Sequence, residues 1–199
     1  MDSGIVVMPK PDYISWAQIK QLLSDAHKAN REKGINMSHY QWEQERFAAF
    51  FSGEGELFVA MEGDKLVGTL GVVKKSGNRW YLKGNYAYFC FGSILPTYNG
   101  RGIYRSLNVA CEQFAKTLNL DVAVLDTHFR NKHMQLISQN NGYRKVRFFR
   151  ASTKDHYSVV MAKCLDGRSY SRLRCAISYY SSIIWTFSKS LYSMMTGAK

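Results

Sequence analysis

The stretch Ile94-Leu95-Pro96-Thr97-Tyr98-Asn99-Gly100-Arg101-Gly102-Ile103-Tyr104 separates two segments that differ in hydrophobic period. Residues 86–94 before it are aromatic and β-prone, which predicts a strand. From Leu107 to Leu118 apolar residues recur at helical spacing, which predicts a helix. The proline cannot extend a strand ladder, and the glycines allow backbone conformations that other residues resist. By itself a Gly-x-Gly pair fits a plain tight turn equally well. The helix N-terminus that follows it also suits a phosphate or pyrophosphate, because its N–H groups lack helical partners.

A second strand and helix follow this loop. Residues 121–129 predict a strand, and Asn131 begins a helix that ends at Asn141-Gly142, a favourable left-handed stop. Over residues 4–164 the order of these motifs resembles the GCN5-related N-acetyltransferase (GNAT) superfamily. The resemblance implies an α/β (α+β) fold of three layers, in which a central mixed, mostly antiparallel twisted sheet is flanked by helices.

The resemblance also implies that acetyl-CoA is the acyl donor and binds at the glycine loop. In the family this loop reads Gln/Arg-x-x-Gly-x-Gly/Ala. Here Asn99 replaces Gln/Arg and Tyr104, which is bulky enough to crowd a pyrophosphate, replaces Gly/Ala. In the resembled family the strand before the loop binds the pantetheine arm, and its backbone N–H groups, here around residues 93–95, stabilise the oxyanion. The cofactor-binding residues carried over on this ground are Ser93, Ile94, Leu95, Asn99, Gly100, Arg101, Gly102, Ile103, Tyr104 and Asn131.

Acyl transfer to an amine requires a base for the amine proton and benefits from an acid for the leaving thiolate. Alternation along the predicted strand places Asp126 and His128 on one face, and histidine titrates near neutral pH. We predict that one of them is the base, although either side chain also fits a structural role. The strand before the loop has no carboxylate. Where many family members carry a catalytic Tyr, this chain has Ser138, so Tyr143, Tyr104 or a water molecule are further candidates for the acid.

The two early helices and their connecting loop cover the acceptor in the resembled family. In this chain the cover is predicted to contain His39, Tyr40, Trp42 and Glu43, which suit a ring with polar substituents. Glu43 is a third candidate for the base. The alternative is that the aromatic residues belong to the core and the polar residues are solvated.

Composition limits the class of protein. We predict one domain over residues 1–165, followed by a tail over residues 166–199. The chain has no apolar run of the roughly 18–20 residues of a membrane span and no evident signal peptide, and its four cysteines lack metal-ligand spacing. These observations favour a cytoplasmic protein with reduced thiols and no metal. The net charge of +12 fits nucleic acid, anionic lipid, a phosphorylated ligand or an evenly charged surface.

The tail contains a helical stripe of apolar residues with a period near 3.5. The stripe consists of Leu173, Ile177, Tyr180, Ile184, Phe187, Leu191 and Met194. Serine dominates the other side of this amphipathic helix, and every charge from Gly167 onward is positive. One interpretation is an interfacial helix on the inner face of an anionic membrane. The other interpretations are packing on the domain, packing on a second subunit in a homodimer, or disorder.

These observations favour an N-acetyltransferase that acts by direct attack of a small amine on acetyl-CoA. An amino sugar of surface-polysaccharide assembly is the preferred acceptor. A longer acyl chain or an acyl carrier protein is an alternative donor. A further alternative is a GNAT-fold binding protein without catalysis. A nucleic-acid-directed protein is not favoured, because neither helix-turn-helix nor zinc-finger spacing is present.

Overall fold

The computed structural model describes residues 4–35, 42–150 and 157–196, with backbone only from residue 190 onward. The chain divides into two compact units, residues 1–123 and 124–199. The seven strands among the described residues belong to one sheet in the order β1-β2-β3-β4-β5-β7-β6. The pairs β1–β2, β2–β3, β3–β4 and β6–β7 are antiparallel. The predicted fold, a mostly antiparallel sheet flanked by helices with an additional C-terminal helix, is confirmed.

Within its described residues, the first unit contains four complete strands and four α-helices. In chain order they are β1 (Ile5–Pro9), α1 (Trp16–Ala26), α2 (Lys28–Glu32), α3 (Gln44–Phe51), β2 (Gly55–Glu62), β3 (Lys65–Arg79), β4 (Leu82–Ile94) and α4 (Ile103–Thr117). A short 3-10 turn, Pro96–Tyr98, separates β4 from the glycine loop. Helix α1 begins with a capping box, in which Ser15 Oγ accepts from Gln18 N and Gln18 Oε1 accepts from Ser15 N.

Helices cover both faces of the strands in the first unit. Ile19, Leu23 and Phe47 of α1 and α3 are buried against Leu57 and Val59 of β2. The intervening Phe58 points to the opposite face, where its ring meets Phe114 of α4. Period-2 alternation along β2 therefore builds two cores, one under α1 and α3 and one under α4.

Residues 74–79 have the basic and polar composition that predicts a loop, but they belong to a strand. Strand β3 continues to Arg79 and pairs with β4 as far as the Arg79–Leu82 pair. Lys75 Nζ lies 4.1 Å from the centre of the Tyr88 ring, so the aromatic residues of β4 accommodate the basic side chains of β3. Cross-strand pairing therefore overrides a composition that is typical of a loop.

Over residues 124–150 and 157–196, the second unit contains β5 from Val124 onward and four further elements. These are α5 (Lys132–Asn140), β6 (Arg144–Arg150), β7 (Tyr157–Cys164) and α6 (Arg172–Thr196), and β5 as a whole is Val122–His128. Asn131 Oδ1 caps α5 by accepting from Met134 N at 3.2 Å. Helix α6 packs on β6. Among the described helices, none combines the length and the apolarity needed to cross a bilayer.

Candidate functional site

The glycine loop leads directly into the N-terminus of α4. Gly100 and Gly102 have φ angles of +79° and +77°, in the left-handed region that favours glycine, and Gly102 is the N-cap of α4. No side chain of the described residues caps this helix, and the N–H groups of its first turn have no partner within it. Within the part of the chain that the structure describes, no atom lies within 4 Å of where a Cβ would stand on either glycine, so the loop surface is open to an anionic group.

Glu62, at the end of β2, holds the loop in place. Its carboxylate accepts hydrogen bonds from Tyr98 Oη at 2.6 Å and from Arg101 Nη1 at 3.0 Å. The Arg101 guanidinium also lies 4.7 Å from the centre of the Tyr98 ring. The guanidinium of Arg101, which is predicted to bind the cofactor, therefore forms an ion pair with the Glu62 carboxylate. Sequence reasoning missed Glu62, since it precedes a hairpin turn and carries no motif of its own.

Strand β4 departs from regular pairing just before the loop. Thr69 pairs with Ser93 but Gly71 pairs with Cys90, so β4 has one extra residue at this point and forms a β-bulge. Phe91 has a φ of +54°, and its carbonyl accepts from Thr69 Oγ1 at 2.8 Å. The bulge changes the direction of the backbone next to Ser93. Of the predicted oxyanion donors, Leu95 N–H already donates to Val67 O at 2.9 Å.

A buried histidine reaches this bulge from the junction of α1 and α2. His27 Nε2 lies 2.7 Å from Ser93 Oγ, and Asn30 Nδ2 lies 3.1 Å from His27 Nδ1. An amide nitrogen only donates, so Nδ1 accepts and the neutral ring carries its proton on Nε2. Burial lowers the pKa of His27 from 6.5 to about 4, opposed by a hydrogen bond to the Gly92 backbone and helped by the charge of Arg31. His27 is thus neutral at pH 7 and links α1 to the bulge. Sequence reasoning missed it, because nothing local relates residues 27 and 93.

The Tyr104 side chain, on the first turn of α4, lies against the same bulge. A Cβ on Gly92 would stand 3.3 Å from Tyr104 Cε2 and 3.1 Å from Leu70 Cδ1, so only glycine admits the ring this closely. The Tyr104 hydroxyl oxygen is buried. The ring therefore packs on β4, and the loop surface around Gly100 and Gly102 is open despite the bulk of this residue.

The predicted acceptor cover is described only in part. His39 and Tyr40 lie outside the described residues. The ring of Trp42 lies 5.4 Å from that of Phe91 and belongs to an aromatic cluster with Phe47 and Phe50. Exposed Glu43 is the N-cap of α3, with Oε2 3.8 Å from Lys20 Nζ.

In the second unit, the structure places the two candidate bases in different surroundings. His128 is buried, and its Nδ1 accepts from Arg130 N at 3.1 Å, so a neutral ring carries its proton on Nε2. Asp126 is half-buried on β5. A carboxylate accepts hydrogen bonds and donates none, so Asp126 suits the role of base better than His128 does.

Three buried polar atoms lie on β5 and α5. Thr127 Oγ1, Gln135 Oε1 and Ser138 Oγ have no hydrogen-bond partner within the described part of the chain. A buried hydroxyl without a partner is costly, so such groups call for a ligand or water. Tyr143, the other predicted acid, is fully buried with its ring 5.8 Å from Lys163 Nζ. No cluster of metal-ligating side chains occurs in residues 4–35, 42–150 and 157–196.

Comparison with known proteins points to one family. The family model described as acetyltransferase (GNAT) family matches residues 16–143. The chain is similar to a GNAT-family acetyltransferase from Staphylococcus aureus Mu50, with 16% identity, 81% of this chain and 99% of that chain covered, and a TM-score of 0.65. An aminoglycoside 6'-N-acetyltransferase complexed with coenzyme A gives 13% identity, coverages of 83% and 99%, and a TM-score of 0.60. For a GNAT-family acetyltransferase from Elizabethkingia anophelis with acetyl-CoA bound, the identity is 14%, the coverage is 82% of this chain and 99% of that chain, and the TM-score is 0.59. A comparison with curated protein sequences gave no significant match.

Proposed function

Because the chain belongs to the acetyltransferase (GNAT) family and is an acyl-CoA-dependent N-acetyltransferase, we propose that it acetylates a small amine, preferably an amino sugar of surface-polysaccharide assembly. The observation that carries the donor half of this proposal is the open left-handed glycine loop at the uncapped N-terminus of α4. Acetyl-CoA supplies the activated acetyl thioester. Its pyrophosphate suits the first-turn N–H groups of α4, and its thioester suits the β4 bulge.

The remaining chemistry is assigned to side chains of this chain. In the proposed reaction Asp126 takes the proton from the acceptor amine, the amine attacks the thioester carbonyl, and the thiolate leaves with a proton from Tyr104. Tyr104 is favoured over Ser138 because a phenol is a better proton donor to a thiolate than an alcohol is. His27 and Glu62 contact neither reacting group in this scheme. They position the bulge and the glycine loop.

The amino-sugar acceptor rests on the predicted aromatic and polar cover and on an analogy of fold. One protein of similar fold is named as an aminoglycoside acetyltransferase, whereas another structure is that of the NatC complex bound to a Gag peptide and CoA. Both small molecules and peptides are therefore acceptors within this fold. We place the reaction in the cytoplasm, where the scattered thiols stay reduced.

The test begins with calorimetric titration of acetyl-CoA at two salt concentrations, followed by thiol release with an amino sugar, a polyamine and a peptide. We expect micromolar binding that persists at the higher salt concentration, and turnover with the amino sugar. Turnover with the peptide alone would show that the acceptor is a protein N-terminus and not an amino sugar. No binding would contradict the acetyl-CoA site and favour a carrier-protein donor or a binding protein without catalysis.

Gly102→Trp tests the placement of the cofactor. The indole would fill the open loop surface, so we expect at least a 100-fold loss of acetyl-CoA affinity by titration. Gly84→Trp is the matched control, because Gly84 also has a positive φ, +78°, and no described atom within 4 Å of its Cβ position, but lies in β4 near the β3–β4 turn, where it pairs with Gly77. Equal affinity in the two variants would show that acetyl-CoA binds elsewhere.

A further inference from the structure

Helix α6 turns its serine side towards β6 and the first four residues of its apolar stripe, Leu173 to Ile184, towards solvent, whereas Phe187 packs on Phe148. Ser178 Oγ donates to Val146 O at 2.8 Å, and Ser182 Oγ accepts from Phe148 N at 2.8 Å. The strand that receives these bonds, β6, is the last of the described strands in the sheet order, so its outer backbone groups pair with no other described strand. The serine-rich side of α6 therefore satisfies a sheet edge. This use of serine explains why the polar residues of an amphipathic helix face the protein.

The opposite side of α6 is exposed and apolar. We call it the outer stripe, and its relative exposures are 70% for Leu173, 58% for Ile177, 63% for Tyr180 and 68% for Ile184. These side chains line one side of the helix over about 16 Å. Trp185 is also exposed. Large apolar side chains held together in water mark an interaction surface rather than scattered exposure.

Only positive charges accompany the outer stripe. Arg172 and Arg174 are the immediate neighbours of Leu173 and, at about 100° per residue, stand on its two sides. Lys189 Nζ lies 4.1 Å from the centre of the Trp185 ring near the other end. Helix α6 contains no Asp or Glu. The second unit as a whole carries thirteen lysines and arginines but three carboxylates, so almost the entire net charge of +12 belongs to residues 124–199.

We propose that the outer stripe docks on an anionic phospholipid surface, with α6 lying parallel to the membrane plane. The stripe enters the boundary between headgroups and acyl chains, and the flanking cations meet lipid phosphates. Tyr180 and Trp185 suit this depth, since their rings are amphipathic. The helix lies on the membrane without crossing it, because its serine side remains bonded to β6.

Two other occupants fit the charges less well. A second copy of this face would bring two exclusively cationic helices together, with no carboxylate on either α6 to compensate them. A nucleic acid would match the cations, but the centre of the face consists of aliphatic side chains that offer no contact to phosphate. An anionic bilayer accounts for the apolar centre and the basic flanks together. The inference does not depend on the acceptor or on catalysis.

The test is vesicle flotation of the full chain, with vesicles of pure phosphatidylcholine and of phosphatidylcholine containing 30% phosphatidylglycerol. We expect at least tenfold tighter binding to the anionic vesicles, weakening as salt is raised. Arg172→Gln together with Arg174→Gln should weaken that binding about fivefold per charge. Ile177→Ser together with Ile184→Ser should abolish it. All variants should retain acetyl-CoA binding.

The matched control replaces two exposed apolar residues of the first unit, Val6→Ser with Tyr13→Ser, and should leave flotation unchanged. Two further measurements test the other occupants of the outer stripe. Light scattering during size-exclusion chromatography tests for a second copy of the chain, and gel shift with duplex DNA and single-stranded RNA tests for nucleic acid. A dimer that the Ile177/Ile184 variant splits would overturn the proposal in favour of a second copy. Tight nucleic-acid binding without flotation would overturn it in favour of nucleic acid, and equal flotation on both vesicle types would remove the role of the cations.

Discussion

At the scale of single residues, His27 makes the stability of the protein depend on pH. Its pKa is about 4 in the folded chain, because the ring is buried, against 6.5 for an exposed histidine. Between these values the unfolded chain binds the additional proton, so the free energy of unfolding falls as pH drops below 6.5. The total loss on passing below pH 4 is about 3 kcal/mol, of which about 2 kcal/mol is lost by pH 5.

Urea denaturation at pH 7.5 and pH 5 measures this effect. His27→Gln retains an amide that can donate to Ser93 Oγ but does not titrate, so its stability should change less between the two pH values. His133→Gln is the control, since His133 is exposed on α5. A wild-type protein no more pH-sensitive than the His27→Gln variant would contradict the buried neutral histidine.

Asp126 is the residue on which the proposed proton transfer depends. Asp126→Asn keeps the shape of the side chain but removes the base, so we expect kcat to fall about 100-fold, with little change in the KM for acetyl-CoA. The control is Asp121→Asn, which removes an exposed carboxylate just before β5. If Asp126→Asn retained its kcat while a His128→Gln variant lost the pH dependence of its rate, the base would be His128 instead.

At the scale of elements, α6 stabilises β6 through specific hydroxyl groups. Ser182→Ala leaves Phe148 N–H without its side-chain partner, and we expect a loss of about 1–2 kcal/mol in the free energy of unfolding. Ser181→Ala, on an exposed position of the same helix, should cost less than about 0.5 kcal/mol. Thermal and urea denaturation of both variants measure the difference. Equal stabilities would mean that water replaces the serine at this edge.

Local signals in the sequence predicted most elements and the glycine loop. The strand over residues 86–94, the two left-handed glycines and the helix after them follow from residue types that act within a few positions. Contacts between distant residues could not be predicted in this way. The bond between His27 and Ser93, and the use of Glu62 by the loop, depend on how strands and helices come together. The orientation of α6, with its serine side towards β6, could not be predicted for the same reason. The sequence pattern defines an apolar stripe but not which side of the helix faces β6.

At the scale of the whole molecule, α6 has two roles, which a truncation and an outer-stripe variant together separate. Its inner side completes the edge of the sheet, and its outer stripe is free to meet a partner. The aromatic contacts of Phe148 with Tyr157 and Phe187 cross from β6 and β7 to α6, so this helix also closes a small core. Removal of residues 166–199 would expose both the edge and these rings.

We therefore expect a chain that ends at Leu165 to aggregate or to melt at least 10 °C lower than the full chain, because an uncovered strand edge and exposed aromatic rings favour association. Light scattering and thermal denaturation measure this. The full-length Ile177→Ser, Ile184→Ser variant is the control, since it changes only the outer stripe and should melt like wild type. A monomeric truncated chain with unchanged melting temperature would show that α6 contributes nothing to the fold. The outer stripe would then be the only reason for the helix to be present.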